Sequence, residues 1–196
     1  HAYSLLLNSE YCKKYKGELI LRISDTNPSN SYTDSYKLIE EDANWITQNK
    51  ISKVVFQSDR LENYYAHCLV LLEQGNAYVC DCNSEEASEM IKKGISCTCR
   101  NLQNKDQLKR WHKMFTTYHS NEAVVRLKTY LKHKNPAMRD FPIFRINSFE
   151  HPKQGKKYRV WPLMNFSVAV DDHELRLTHV VRGKDHYDNT KRQKYI

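Results

Sequence analysis

Between Glu18 and Gly75 the chain alternates short apolar runs with longer amphipathic ones, and few folds accept that order. Glu18–Ile23 (ELILRI) and Lys53–Gln57 (KVVFQ) are short and aliphatic or β-branched, as buried strands are. Thr33–Asn49 spaces Tyr36, Ile39, Ala43 and Ile46 at three and four residues, one stripe of a helix that Thr33 or Asp34 can cap. Leu61–Gln74 reads as another helix, ended by Gly75, and Ala2–Lys16 as an earlier one, with Ala2, Leu5, Leu6, Cys12 and Tyr15 near one face and Gly17 as its stop. Two strands joined through a helix pair in parallel. The expectation is an α/β core.

That alternation breaks after the third helix. Tyr78–Cys82 and Ile95–Cys99 are short segments around a helical Ser84–Lys93, and Lys105–Phe115 is amphipathic. Ala123–Leu131 (AVVRLKTYL) and Phe141–Ile146 alternate as strands with one wet face do. His151–Lys157 is polar and basic, a hairpin tip or linker, and from Tyr158 the apolar strand-and-helix character resumes. The reading is a core in two pieces, residues 1–61 and 159–196, interrupted by an inserted α+β module over 62–158.

Leu177–Ile196 (LTHVVRGKDHYDNTKRQKYI) draws the eye within the second piece. Leu177–Val181 reads as a buried parallel strand, and Asp188 or Asn189 as the cap of a helix that begins at Thr190. Ligands of open α/β sheets bind beyond the carboxyl ends of such strands, where Arg182, Gly183, Lys184, Asp185 and His186 stand. A solvated, charged connection is the competing account.

Cys80-Asp-Cys82 and Cys97-Thr-Cys99 are two C-x-C pairs fourteen residues apart. Four thiolates brought together can hold a tetrahedral structural Zn2+, whose work would be to fold a module short of core. Cys12 and Cys68 fall on apolar helix faces and read as packing residues. No basic leader precedes a long apolar run, so the six cysteines read as reduced thiols or ligands in a cytoplasmic protein. A mean hydropathy of −0.77 and the absence of any run near ~20 apolar residues argue against a membrane span. The net charge of +8 points to a phosphate-bearing partner, or to nothing more than a basic surface.

Three stretches carry a resemblance. Glu18–Pro28 (ELILRISDTNP), Ala123–Ile146 (AVVRLKTYLKHKNPAMRDFPIFRI) and Tyr158–Ile196 (YRVWPLMNFSVAVDDHELRLTHVVRGKDHYDNTKRQKYI) resemble, in order, the catalytic region of glutamyl-tRNA synthetases of the archaeal type. The resemblance implies a class I synthetase: a Rossmann-like parallel-sheet core, interrupted by an inserted α+β module that binds the tRNA acceptor end and carries a zinc site. It implies ATP with Mg2+, L-glutamate and tRNA(Glu) as partners; no membrane partner and a monomer are expected beside it. His1 is similar to the last histidine of the HIGH signature, which steadies the ATP phosphates. Arg182 matches the residue that meets the glutamate side chain, and a guanidinium fork suits a carboxylate and offers only donors to an amide. Gly183 matches a close approach to the nucleotide, and Asp185 and His186 match positions lining the adenosine pocket. In the inserted module Arg100, Lys105, Lys109, Arg110 and Lys113, with Trp111 and His112 among them, offer phosphate contacts and stacking, or else a charged face that keeps the module soluble.

The chain departs from the family pattern twice. Ser24 stands where the family has an acid for the substrate's α-ammonium, and Met164 where a tyrosine is expected, with Asn165 or Tyr187 as candidate replacements. The strand before HIGH, the KMSKS loop and an anticodon-binding domain are not within these residues, so the expectation is a catalytic fragment that does not aminoacylate by itself. The implied reaction needs no side-chain nucleophile; positioning and preorganised donors would carry it. Two alternatives stand beside it: a glutaminyl enzyme, disfavoured by Arg182, and a non-catalytic synthetase-like RNA-binding protein, kept open by Ser24 and Met164.

Overall fold

The computed structural model describes residues 2–196. It is an α/β fold with a parallel sheet and, beside it, an antiparallel one. The first sheet pairs β1 (Leu19–Ile23) and β2 (Ile51–Phe56) in parallel, with Ile23 opposite Phe56. α1 (Ala2–Tyr15) precedes it and α2 (Thr33–Thr47) makes the crossover. Tyr32, not Thr33 or Asp34, occupies the cap position of α2, and Asp34 sits in its first turn, where a carboxylate suits the positive helix end. α2 stops two residues before Asn49 because Gln48 and Asn49 both turn left-handed, at φ 54° and 59°. Lys16, not Gly17, takes the left-handed conformation after α1, and the Gly17 N–H closes the turn on the Cys12 carbonyl at 2.9 Å. The expected apolar face of α1 is not a buried one: Ala2, Leu6 and Tyr15 are exposed and Ser9 alone is buried.

α3 (Leu61–Glu73), ended by Gly75 at φ 73°, leads into the antiparallel sheet. Its strands, in spatial order, are β3 (Ala77–Cys80), β4 (Val124–Leu127), β5 (Pro142–Ile146) and β6 (Val160–Pro162). α4 (Ser84–Lys93) and α5 (Asn104–Thr116) lie between β3 and β4 in sequence. The main core forms where α3, α5 and α6 (Met164–Glu174) cover this sheet, around Tyr64, Leu72, Met114, Val125, Phe144 and Phe166. β6 pairs with β5, so the antiparallel sheet runs across residue 158. The hairpin between them is no solvated tip: His151 is 1% exposed.

Leu177–Val181 is not a strand. α6 stops at Glu174, Arg176 turns left-handed at φ 54°, and residues 177–183 then run with no ladder partner among the described residues. β-branched residues make a strand only where a neighbouring edge accepts their N–H and C=O groups. Here Val180 is half exposed, and the Val181 carbonyl accepts from the Asn8 amide of α1 instead, at 3.1 Å. α7 spans Tyr187–Tyr195, three residues earlier than expected. A 3-10 turn at Lys184–His186 feeds it, so His186, not Asp188 or Asn189, stands at the cap position.

Candidate functional site

Just past the end of β1, Ser24 and Asp25 border one hollow but differ in exposure. Ser24 is exposed, on a hollow of about 690 Å³ that Arg22, Ser35, Tyr36 and Asp42 also line. Asp25 turns inward and is 4% exposed. Its Oδ1 accepts the Ser58 main-chain N–H at 2.8 Å, and its Oδ2 accepts the Ser58 hydroxyl at 2.6 Å and the Tyr36 hydroxyl at 3.0 Å. Burial, and then the Asp25 charge, push the Tyr36 phenol well above the usual range. Asp25 is therefore engaged in holding the 57–60 turn and α2, and does not stand in for an acid at position 24.

A second carboxylate ties β1 to α6. Asp171 is fully buried and accepts from Gln57 Nε2 at 2.7 Å, Arg60 Nε at 2.8 Å and the Tyr64 hydroxyl at 2.8 Å. Asp172 beside it accepts from Arg22 Nη1 at 2.6 Å. Arg22 lines the Ser24 hollow, and Asp172 lines a different hollow of about 600 Å³ together with Arg182, Thr190, Gln193 and Lys194. The structure thus places Ser24 and Arg182 on separate hollows with the Arg22–Asp172 ion pair between them.

Arg182 is half-buried, and its guanidinium has no hydrogen-bond or ion-pair partner among the described residues. Gly183 has an ordinary φ of −65°, and a side chain added there would run into the flexible Asp185 carboxylate. Asp185 Oδ2 lies 3.5 Å from His186 Nε2. His186 Nδ1 accepts from Asn189 at 3.2 Å, Asn189 Oδ1 accepts from Asn165 at 3.2 Å, and Asn165 Oδ1 accepts from Gln193 at 3.1 Å. This amide chain joins two of the predicted residues, Asn165 and His186, across α6 and α7. Met164 is exposed at the start of α6. His1 lies outside the described residues.

The four paired cysteines converge. The Sγ atoms of Cys80, Cys82, Cys97 and Cys99 all lie within 4.8 Å of one another, with Cys80–Cys97 at 3.8 Å and Cys82–Cys99 at 3.5 Å. β3 supplies Cys80, and the turn at Thr98–Asn101 folds the second pair back onto it. Burial pushes the Cys80 thiol up to about 11 and Cys82 higher still. Burial acts the same way on Cys97, but the Arg100 N–H and the neighbouring thiols outweigh it and bring Cys97 below the usual thiol value. Asp81 braces the cluster: it accepts from the Cys99 thiol at 3.1 Å, Arg110 Nη1 at 2.6 Å and the Tyr118 hydroxyl at 3.0 Å.

The basic residues of the inserted module divide. Arg110 is committed to Asp81, and Arg100 to the fully buried Asp140 at 2.7 Å and the Thr129 carbonyl at 2.9 Å. Lys109 is open to solvent, with only Asp106 near it at 3.5 Å. Trp111 is 8% exposed and packs edge-on against Tyr65, Phe115 and Phe144, so its ring is not available to a base. Sequence reasoning missed Arg22, Asp140, Asp171 and His151. The two aspartates lie inside stretches singled out for the resemblance, yet nothing local marks them as buried.

The family model described as tRNA synthetases class I (E and Q), catalytic domain, matches residues 1–196. Curated glutamate–tRNA ligases are similar over the whole chain: that of Methanocaldococcus jannaschii is 53% identical over 196 residues and that of Methanothermobacter thermautotrophicus 48%, the chain covering 35% of each. The ligase of Methanopyrus kandleri is 47% identical, and the chain covers 34% of it. The chain thus spans about a third of the length of the curated relatives it matches. Among solved structures, a glutamate–tRNA ligase from Elizabethkingia meningosepticum aligns over 98% of this chain and 42% of its own, with a TM-score of 0.67 at 17% identity. The glutamate–tRNA synthetase of Elizabethkingia anophelis aligns over 98% of this chain and 43% of its own, at 0.61 and 19%. At such identities these two speak for the fold.

Proposed function

Because the chain belongs to the family of class I tRNA synthetase (E and Q) catalytic domains, we propose that it is the catalytic region of a glutamate–tRNA ligase. The observation that carries the choice of glutamate is the identity of 47–53%, spread over the whole chain, to ligases of that specificity. Arg182 supports it from the side of chemistry: a half-buried guanidinium with no partner among the described residues is a ready site for a carboxylate and a poor one for an amide.

In this reading the α-carboxylate of L-glutamate attacks the α-phosphate of ATP and pyrophosphate leaves, giving glutamyl-adenylate; the terminal ribose hydroxyl of tRNA(Glu) then takes the acyl group and AMP leaves. ATP enters with Mg2+. The chain's residues bind and orient: Arg182 takes the side-chain carboxylate on one side of the Arg22–Asp172 ion pair, Ser24 faces the amino acid from the other, and Gly183, Asp185 and His186 border the adenosine. Met164 and Asn165 open the helix beside them. His1 would steady the phosphates. With no side-chain nucleophile, the rate rests on proximity and on donors held in place before the reaction.

The division into core residues 1–61 and 159–196 around an inserted module, 62–158, belongs to the same proposal, as does a cytoplasmic monomer. Among the described residues no helix is long and apolar enough to cross a membrane. The cysteine cluster fits Zn2+. Bonds of about 2.3 Å at tetrahedral angles set sulfurs about 3.8 Å apart, and the Cys80–Cys97 and Cys82–Cys99 separations are 3.8 and 3.5 Å. Zinc there would hold β3 to the turn that follows α4, a structural role. Lys109 faces the solvent from which the acceptor end would approach, while Arg100 and Arg110 would act by shaping the surface.

The test is ATP–pyrophosphate exchange by the full-length protein with tRNA present. Exchange that depends on glutamate and ignores glutamine is the expected result. Exchange with glutamine replaces the reading by the glutaminyl one, and tRNA binding without any exchange replaces it by the non-catalytic RNA-binding one.

A further inference from the structure

His151 has no part in the chemistry above, yet its ring is fully committed. Its Nδ1 accepts the main-chain N–H groups of Lys153 and Gln154, each at 3.1 Å. A ring nitrogen that accepts N–H bonds carries no proton, so the proton of the neutral imidazole sits on Nε2. That atom lies 2.8 Å from the main-chain carbonyl of Asp25 and 3.7 Å from its Oδ2, the nearer being the bond. The ring stacks on buried Trp161, with centroids 5.0 Å apart and planes 24° from parallel. It has no room to swing aside without opening the core.

This contact joins the two sheets. The hairpin between β5 and β6 reaches back to the loop after β1, and the strands beside it grip the same loop. Arg145 and Asn147 donate to Asn27 Oδ1 at 2.6 and 3.2 Å, and Asn147 also donates to Ser29 Oγ at 3.0 Å. The Asp25 carboxylate is held from the other side by Ser58 and Tyr36. Its carbonyl, in the peptide that joins Asp25 to Thr26, fixes the backbone one residue beyond Ser24, and His151 is the donor on it.

We infer that His151 is a positioning residue for the substrate end of β1: its Nε2–H fixes the Asp25 carbonyl and so sets how Ser24 is presented to the amino acid. The inference rests on reading the chain as a synthetase catalytic region. Without the bond, a buried carbonyl loses its partner, and the loop shifts to find one. An exposed Ser24 moves with it, while the fold, held by Asp25 at its carboxylate, stays.

Two substitutions separate this role from mere support of the hairpin. His151→Asn keeps an oxygen near the place of Nδ1, so the N–H groups of Lys153 and Gln154 stay capped, but it is too short to reach Asp25. His151→Gln extends an amide N–H toward the place of Nε2. Glutamate-dependent ATP–pyrophosphate exchange is measured in the full-length protein with tRNA present, alongside thermal melting of both variants. H151N is expected to raise KM for glutamate about tenfold with kcat held within about twofold, as loss of one buried hydrogen bond would. H151Q is expected to recover most of it. An unchanged KM in H151N, or the same loss in both variants, overturns the inference while leaving the proposed reaction intact. A wild-type protein without glutamate-dependent exchange overturns both.

Discussion

Arg22 of β1 donates to Asp172 of α6 at 2.6 Å, across 150 residues of sequence, and the neighbouring Asp171 collects Gln57, Arg60 and Tyr64. Two adjacent carboxylates thus fasten the parallel sheet and the turn after β2 to one helix. They differ in environment: Asp171 is fully buried and Asp172 keeps 22% of its side-chain surface. Asp171→Ala leaves a guanidinium, an amide and a phenol without their acceptor, and is expected to destabilise the protein by about 3 kcal/mol or more. Asp172→Asn, at a wetter site, should cost about 1 kcal/mol or less. Urea unfolding followed by circular dichroism checks the order, and a reversed order would sink this assignment of the anchor.

The same junction predicts an acid limb. His67 donates to Glu174, and Asn63 and Arg60 add to it, so the Glu174 carboxyl stays below its usual value although burial works against this. A carboxyl lowered in the folded state contributes stability above its unfolded value and loses it as pH falls through the folded one. Stability should therefore decline on acidification below about 4.5, the ordinary glutamate value, and Glu174→Gln should flatten that decline while lowering stability at neutral pH. Melting temperatures across an acid series measure both.

Much of the first sheet was legible because local rules and tertiary context agree there. The apolar runs at Glu18–Ile23 and Lys53–Gln57 have each other as partners, and of the α2 stripe Ala43 is buried and Tyr36 meets Phe56 of β2, while Ile39 stays exposed. Leu177–Val181 carries the same composition and failed as a strand, because composition names a willing edge and says nothing of whether a second edge is present. The cysteine cluster was legible from spacing. Asp25, Asp140, Asp171 and His151 were not: each is buried by what it meets more than ten residues away, and a charged residue in a string reads as surface until its partner is known.

Arg182 offers a test of specificity that stability does not confuse. Its guanidinium has no partner among the described residues, so Arg182→Ala should leave the melting temperature unchanged. In the full-length protein KM for glutamate should rise about a hundredfold, the scale for removing a charged bidentate contact. Arg182→Lys, which keeps the charge and loses the fork, should recover only part of this. Pyrophosphate exchange at varied glutamate measures it. A variant that melts early would show that Arg182 is held by the fold after all.

Removing metal should loosen the cysteine corner of the inserted module first, since the rest of that module shares the main core. Four thiols at tetrahedral spacing have little other core, since their cluster adds only Tyr78 and Ala87 among buried residues. Chelation, or Cys82→Ser, should lower the melting temperature and expose α4 and the Thr98–Asn101 turn to amide exchange while β3, buried in the main core, stays protected. Cys80 and Cys82 titrate above the usual thiol range in the metal-free protein, so binding must strip protons from them, and affinity for Zn2+ should rise with pH. Isothermal titration in two buffers of different ionisation heat reads the protons released. Metal binding without proton release would place the metal elsewhere.

Lys109 and Arg110 are neighbours with opposite prospects, and reversing each charge separates contact from scaffold. Lys109 is 72% exposed at its side chain, whereas Arg110 reaches Asp81, which in turn braces Cys99. Lys109→Glu should leave melting unchanged, weaken tRNA binding, and reduce the slope of log affinity against log salt by about one unit, the signature of one lost phosphate contact. Arg110→Glu should lower the melting temperature, because it sets two carboxylates together beside a thiol cluster, and any loss of RNA binding should follow that damage. Filter binding of tRNA across a salt series, with melts of the same samples, decides it. An unchanged salt slope in Lys109→Glu would assign this helix face to solvation and move the acceptor contacts to another part of the surface.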